Sequence, residues 1–174
     1  MAEEQDHVDR WLADFVKEAP PVDVTVEGIV DRIGGLNRRL LREMEETLES
    51  FGLTFGEWKV LGVLRRAGPP YRRSPGDLAK YEELSSGAMT NRLDRLEEAG
   101  LVRRLPDPAD RRAIQVELTA KGKRTWEDAF TAQAEKEALV ASALGKRERE
   151  ELNALLRRLM LAFEKREAEH KAKK

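Results

Sequence analysis

Cysteine is absent from this chain. That excludes disulfides, thiolate nucleophiles, thiolate metal ligands and thiol redox sensing within it. Histidine is almost as scarce: His7 and His170 stand at opposite ends. Neither a clustered His/Cys metal site nor a His-based catalytic triad has its parts, so no metal and no cofactor are expected. No apolar run approaches the roughly 18 residues of a membrane span. The first residues, MAEEQDHVDR, lack the basic and apolar regions of a secretory signal. A cytoplasmic protein without membrane contact is therefore expected. The sequence also has no phosphate loop and no nucleophile–base pair at a recognisable spacing, which argues against an enzyme.

Aromatic residues make up 6% against 37% charged, a balance that favours long helices with wetted faces. The 40% of apolar residues suffices for a core, and the length fits one domain with an appended arm. The formal net charge of −1 conceals a pattern. Residues 1–64 carry 7 Lys/Arg against 14 Asp/Glu, residues 65–124 carry 14 against 9, and residues 125–174 carry 11 against 10. A basic middle in a near-neutral chain implies one face that meets an anionic partner.

Apolar spacing organises the rest. Val8, Trp11, Leu12, Phe15 and Val16 fall on one helical face, closed by Pro20-Pro21. From about Thr25 to Ser50, a long stripe runs from Val26 through Ile33, Leu36 and Leu40 to Leu48. Thr54 and Glu57 form a capping box for a third helix with Trp58, Leu61 and Leu64 inward. Ser74-Pro75-Gly76-Asp77 opens a short helix, and Ser85 caps another, with Met89, Leu93 and Leu96 inward and Gly100 as its stop. The period then changes to two. Leu101–Leu105 and the alternating Ile114, Val116 and Leu118 form a β-hairpin around Pro106–Asp110, with Gln115 and Glu117 outward. Thr119 caps a long helix carrying Trp126, Phe130, Val140 and Leu144. A last helix from about Lys146 carries Leu152, Leu155, Leu156, Leu159 and Phe163, before a frayed polar tail from His170.

The expected fold class is mainly α with a small β-hairpin wing. An arm helix occupies 1–24, a helical dimerisation region 25–52 and 125–169, a winged helix-turn-helix lobe 53–124, and a polar tail 170–174. In such a lobe the second helix of the pair enters the major groove of double-stranded DNA with its N-terminal residues toward base edges. Those residues are Ser85, Ser86, Gly87, Ala88, Thr90 and Asn91, small or hydrogen-bonding. Ser74, at the start of the preceding helix, joins them. Arg92 and Arg95 are placed on the outward side, long enough to reach guanine edges or phosphates. In the wing, Asp110 and Arg112 lie two apart, so a carboxylate can orient a guanidinium for a narrow minor groove, with Arg111 toward a phosphate. Arg103 and Arg104 serve phosphates or the lobe's own packing. The alternative is a winged-helix module whose positive face meets an acidic protein without binding DNA.

The runs SSGAMTNRLDRLEEAGLVRR and DPADRRAIQVELTAKG resemble the MarR family of bacterial transcription regulators. The Asp110-Arg111-Arg112 wing motif and the Leu118-Thr119-Ala120-Lys121-Gly122 step carry the likeness, which spans roughly Val26 to Phe163. The resemblance implies a homodimer with interlocked terminal helices. It also implies two lobes on a palindromic operator, and release of a repressor by a small molecule bound between interface and lobe. The helix around Trp11 looks like the extra arm of the urate-responsive subfamily, in which the matching Trp lines the ligand pocket; docking of the arm alone is the alternative. Where that subfamily has Asp, this chain has Lys59, suited to an anionic ligand but unable to accept a hydrogen bond. Arg92 and Arg104 align with other subfamily arginines, so Trp11, Lys59 and Arg104 are the expected effector residues.

Overall fold

Each helix of the first half begins at a side chain that takes up a backbone N–H left free by helix geometry. In the computed structural model, which describes residues 4–18, 21–107, 110 and 113–173, Asp6 caps α1 (His7–Phe15) and Asp23 caps α2 (Val24–Glu49). Thr54 caps α3 (Phe55–Arg66), with Glu57 closing the box. After β1 (Arg72–Arg73), Ser74 caps α4 (Pro75–Tyr81) and Ser85 caps α5 (Ser86–Glu98). Then come β2 (Val102–Pro106), β3 (Ile114–Leu118), α6 (Ala120–Lys136), α7 (Ala138–Ala143) and α8 (Lys146–Ala172). The chain divides into two compact units, 1–129 and 130–174, at a point inside α6.

The core of the first unit gathers one apolar face from each element of the lobe. Leu61 and Leu64 come from α3, Leu78 from α4, Met89, Leu93 and Leu96 from α5, and Val102, Val116 and Leu118 from the strands. Leu48 and Leu53 extend it to the end of α2. The arm lies on α2 through buried Val8 and Leu12, and Arg32 of α2 is held by Asp6 and Asp9. Hydrogen bonds from the Asp9 backbone and from Arg32 outweigh the desolvation of Asp6 and bring its carboxyl down to about 2.

The strands depart from the sequence reading in two ways. The hairpin is part of a three-stranded sheet in the order β1-β3-β2, because Arg72 and Arg73 pair with β3. Two arginines carry no alternation, so nothing in the sequence marks them as a strand. Nor does β3 alternate as expected: Ile114 is exposed and Glu117 is buried. The register explains this. Glu117 stands opposite Arg72 on one side and Arg103 on the other. It accepts from Arg72 Nε at 2.5 Å and from Arg103 Nε at 2.7 Å. A carboxylate flanked by two guanidinium groups is tolerated where a lone one is not.

The Leu-Thr-x-x-Gly step has a steric cause. Thr119 Oγ1 accepts the Gly122 N–H at 2.9 Å and donates to the Gly100 carbonyl. Gly122 lies so close to β2 that a Cβ would stand 2.0 Å from the Leu101 carbonyl oxygen. The helix beginning there ends at Lys136, short of the expected Leu144, so Val140 falls in α7 and Leu144 lies beyond it. No glycine or proline stands at this break. The expected frayed tail is instead helical through Ala172, with His170 and Lys171 in the last turn, where positive charge suits the helix dipole. In the second unit, Leu152, Leu155, Leu159 and Phe163 of α8 are all exposed, as are Val26, Ile33, Leu36 and Leu40 of α2 in the first.

Burial raises the Glu117 carboxyl, but hydrogen bonds and charge from Arg72 and Arg103 outweigh it and hold it below the ordinary value of 4.5. A carboxylate depressed on folding contributes stability that is present above the unfolded value and lost as pH falls through the folded one. Glu117→Gln should cost about 2 kcal/mol at neutral pH, the scale of a hydrogen bond to a charged group. It should also flatten the loss of stability below pH 4.5. Urea unfolding across that range checks both, and an unchanged acid limb would contradict the assignment.

Candidate nucleic-acid interface

α4 and α5 meet at a turn that needs one left-handed residue. Glu83 takes it with φ 52°, and the Leu84 N–H bonds the Ala79 carbonyl at 2.9 Å. α5 packs against α3 and α4. Because Met89, Leu93 and Leu96 are each 1% exposed, helical periodicity turns other positions to solvent. Ser85, Ser86, Gly87, Ala88, Thr90 and Asn91 are all exposed, as expected. Ser85 Oγ accepts the Ala88 N–H at 3.3 Å, and Thr90 Oγ1 donates to the Ser86 carbonyl at 2.9 Å. A Cβ added at Gly87 would meet nothing within 4 Å. Ser74 is half-buried and engaged at both ends, accepting from the Asp77 N–H at 3.0 Å and donating to the Asp77 carboxylate at 2.9 Å.

Of the two α5 arginines expected on the outward side, Arg95 is exposed as expected and Arg92 is drawn partly into the lobe. Arg92 is half-buried, with Nη1 donating to the Gly56 carbonyl at 3.4 Å. Arg95 is exposed, but its Nε donates to Glu57 Oε1 at 2.8 Å. Arg92 and Arg95, three residues apart, lie on the side of α5 next to α3. Glu57 is therefore more than a cap. Burial raises its carboxyl, but the Thr54 hydrogen bonds and the Arg95 charge together hold it below the usual carboxylate range. The capping box made Glu57 legible in sequence; its partner 38 residues on was not.

The wing base is fixed from α5. Arg104 donates through Nη1 to Glu97 and through Nη2 to Asp94, each at 2.6 Å, and its backbone N–H bonds Glu97 at 2.8 Å. Desolvation alone would lower this guanidinium, but the two carboxylates raise it. Arg103 is taken by Glu117. Both arginines thus serve the lobe itself. At the tip, the Asp110 N–H bonds Asp107 Oδ1 at 3.3 Å and the Asp110 carbonyl accepts the Ala113 N–H at 2.9 Å. Arg111 and Arg112 lie outside the described residues. Arg65, Arg72, Arg95, Arg103 and Arg104 all have carboxylate partners. These five of the 14 Lys/Arg of residues 65–124 are thus engaged within the lobe.

The three expected effector residues meet different partners. Trp11 stacks on Phe15 with ring centroids 4.6 Å apart and lines a shallow cavity with His7, Val8, Asp31 and Arg38. Lys59 pairs with Glu82 at 2.7 Å, and Arg104 is held as above; neither lines that cavity. Among the described residues, no group of three His, Asp or Glu side chains could hold a metal ion, and no helix is long and apolar enough to cross a membrane.

Comparison with known proteins follows the same outline. A model described as the MarR family matches residues 51–113. The HTH-type transcriptional regulator PecS of Dickeya dadantii is 30% identical over 157 residues, covering 90% of this chain and 92% of that protein. The crystal structure of YusO from Bacillus subtilis superposes with a TM-score of 0.70 at 26% identity, covering 82% of this chain and 99% of that one. A mutant MarR from E. coli complexed with operator DNA superposes with a TM-score of 0.63 at 28% identity, covering 80% and 99%.

The bonds of Arg104 lead to a test. Arg104→Ala should cost about 1–2 kcal/mol, less than a fully buried charged pair because both carboxylates reach solvent. Amide exchange in β2 should accelerate, first at residue 104. Wild-type exchange there would show that Glu97 and Asp94 do not hold the strand.

Proposed function

The chain belongs to the MarR family of transcriptional regulators, and from that premise we propose that it binds double-stranded DNA in a sequence-specific way through the N-terminal end of α5. The observation that carries this reading is Gly87. Gly87 is the second residue of α5, where glycine costs less than the ~1 kcal/mol, relative to alanine, of a helix interior. The space around Gly87 is open, so no packing within the chain requires glycine there. That open space leaves room for an outside surface to approach the backbone closely. Around it, Ser86, Thr90 and Asn91 offer short polar side chains suited to base edges in a major groove. The helix start supplies partial positive charge for a phosphate, and Ser85 and Ala88 leave that approach clear. Ser74, at the start of α4, is assigned to the same contact, while Asp110, Arg111 and Arg112 supply the wing, with Arg112 in the minor groove.

The regulator acts as a homodimer on a palindromic operator. The exposed apolar stripes of α2 and α8 are the surfaces a second copy would cover. It is a repressor, released when a small anionic molecule favours a different spacing of the two α5 helices. The cavity beside Trp11, with Arg38 in its wall, supports a ligand on the arm side.

Three substitutions separate the contributions. Gly87→Ala should leave the fold unharmed or stabilise it by up to about 1 kcal/mol, yet weaken operator binding. Asn91→Ala should cost about 1–3 kcal/mol of discrimination at one base position, with an unchanged salt slope. Arg112→Ala should weaken binding and lower the salt slope by about 1. Titration at two salt concentrations beside thermal unfolding reads all three. Undiminished operator affinity in Gly87→Ala would remove the end of α5 from the interface.

A further inference from the structure

Arg92 and Arg95 both meet the first turn of α3. The Arg92 guanidinium lies flat on Gly56, where a Cβ would stand 2.4–2.7 Å from three of its atoms. Any larger residue at 56 evicts it. Beside it, Arg95 Nε donates to Oε1 of Glu57 at 2.8 Å, while Oε2 of the same carboxylate accepts the Thr54 N–H at 2.8 Å. The Glu57 side chain is 8% exposed and that of Arg95 61%. The carboxylate is thus the fixed partner, held on the protein side, and the arginine is the one it restrains. Thr54 lies in the turn that leaves α2, anchored by buried Leu48 and Leu53 and by the Leu53 N–H bonding the Leu48 carbonyl at 3.0 Å. A single carboxylate therefore ties α5 to the end of the helix that carries the exposed apolar stripe.

We propose that Gly56 and Glu57 form a dock for Arg92 and Arg95 that sets the tilt of α5 against α2, making Glu57 a positioning residue for sequence-specific DNA binding. The inference rests on the reading of α5 as the duplex-contacting helix. Glu57 touches no nucleic acid; it acts through Arg95. Charge alone gives the opposite sign. Removing a carboxylate from a lobe that approaches phosphates strengthens binding to any duplex. Removing a positioning contact weakens binding to the correct sequence alone, because a small rotation of the helix misplaces the side chains that read bases.

The test uses the full chain. Wild-type protein first selects a duplex from a randomised pool. Binding of wild type, Glu57→Gln, Arg95→Gln and the double variant is then measured on that duplex and on a scrambled one. Glutamine keeps an oxygen for the Thr54 N–H, so the α3 cap survives. Each single variant and the double should lose the same factor, about tenfold, in preference for the selected duplex, since contacting residues couple on that scale. Glu57→Gln should bind the scrambled duplex as tightly as wild type or more tightly. Gly56→Ala should show the same loss of preference. Arg95→Gln alters an exposed side chain and keeps the test open if Glu57→Gln does not fold. An unchanged preference in folded Glu57→Gln or Arg95→Gln, or additive losses in the double variant, overturns the dock. A wild type that enriches no sequence overturns the DNA reading itself, and the dock with it, before any variant is compared.

Discussion

Met89, Leu93 and Leu96 fix α5 in the lobe by burying one face of the helix, and every outward property of that helix depends on the same three contacts. Each fully buried side chain of this size contributes about 1.5–3 kcal/mol, enough to decide which face of a short helix is hidden. Once that face is set, 3.6-residue periodicity leaves no freedom for the others. Ser86, Gly87, Thr90 and Asn91 must lie in solvent. Arg92 and Arg95 must lie toward α3, and Asp94 and Glu97 toward β2.

Carboxylates paired with arginines complete the arrangement, Glu57 and Glu117 buried, Glu97 half-buried and Asp94 exposed. Glu57 joins α3 to α5, Glu97 and Asp94 join α5 to β2, and Glu117 joins all three strands. Each is worth more than a surface ion pair because at least one partner is shielded from water. The basic excess of the middle segment is therefore weaker as a sign of an anionic partner than composition makes it. The more informative feature of the α5 end is what it lacks: bulk and internal packing demands. Uncharged hydrogen-bonding side chains around an uncrowded glycine are of the kind that suits base edges.

Much of the fold was legible because its signals are local. The caps Thr54, Ser74 and Ser85, the stop at Gly100 and the inward stripe of α5 all lie within a few residues of what they determine. The misses have a common cause. β1 exists only because β3, more than forty residues later, gives Arg72 and Arg73 a partner. Glu117 is buried against its expected alternation because two arginines from different strands meet it. Arg92 and Arg95 turn to α3 because Gly56 and Glu57 receive them. Charge pairing across distant segments leaves no periodic trace. The close packing of Gly122 on Leu101 shows the converse, since the glycine is visible in sequence and only the structure supplies its reason.

The central claim is that the N-terminal end of α5 reads a duplex, with a second copy doing the same on the other half of the site. Hydroxyl-radical footprinting of a duplex selected by the protein tests this most directly. Two protected patches are expected on one face of the DNA, roughly 34–36 Å apart, about one helical turn, with the base edges beneath each patch shielded from major-groove probes. A single patch, protection confined to the minor groove, or no protection at a concentration that binds the duplex would contradict it.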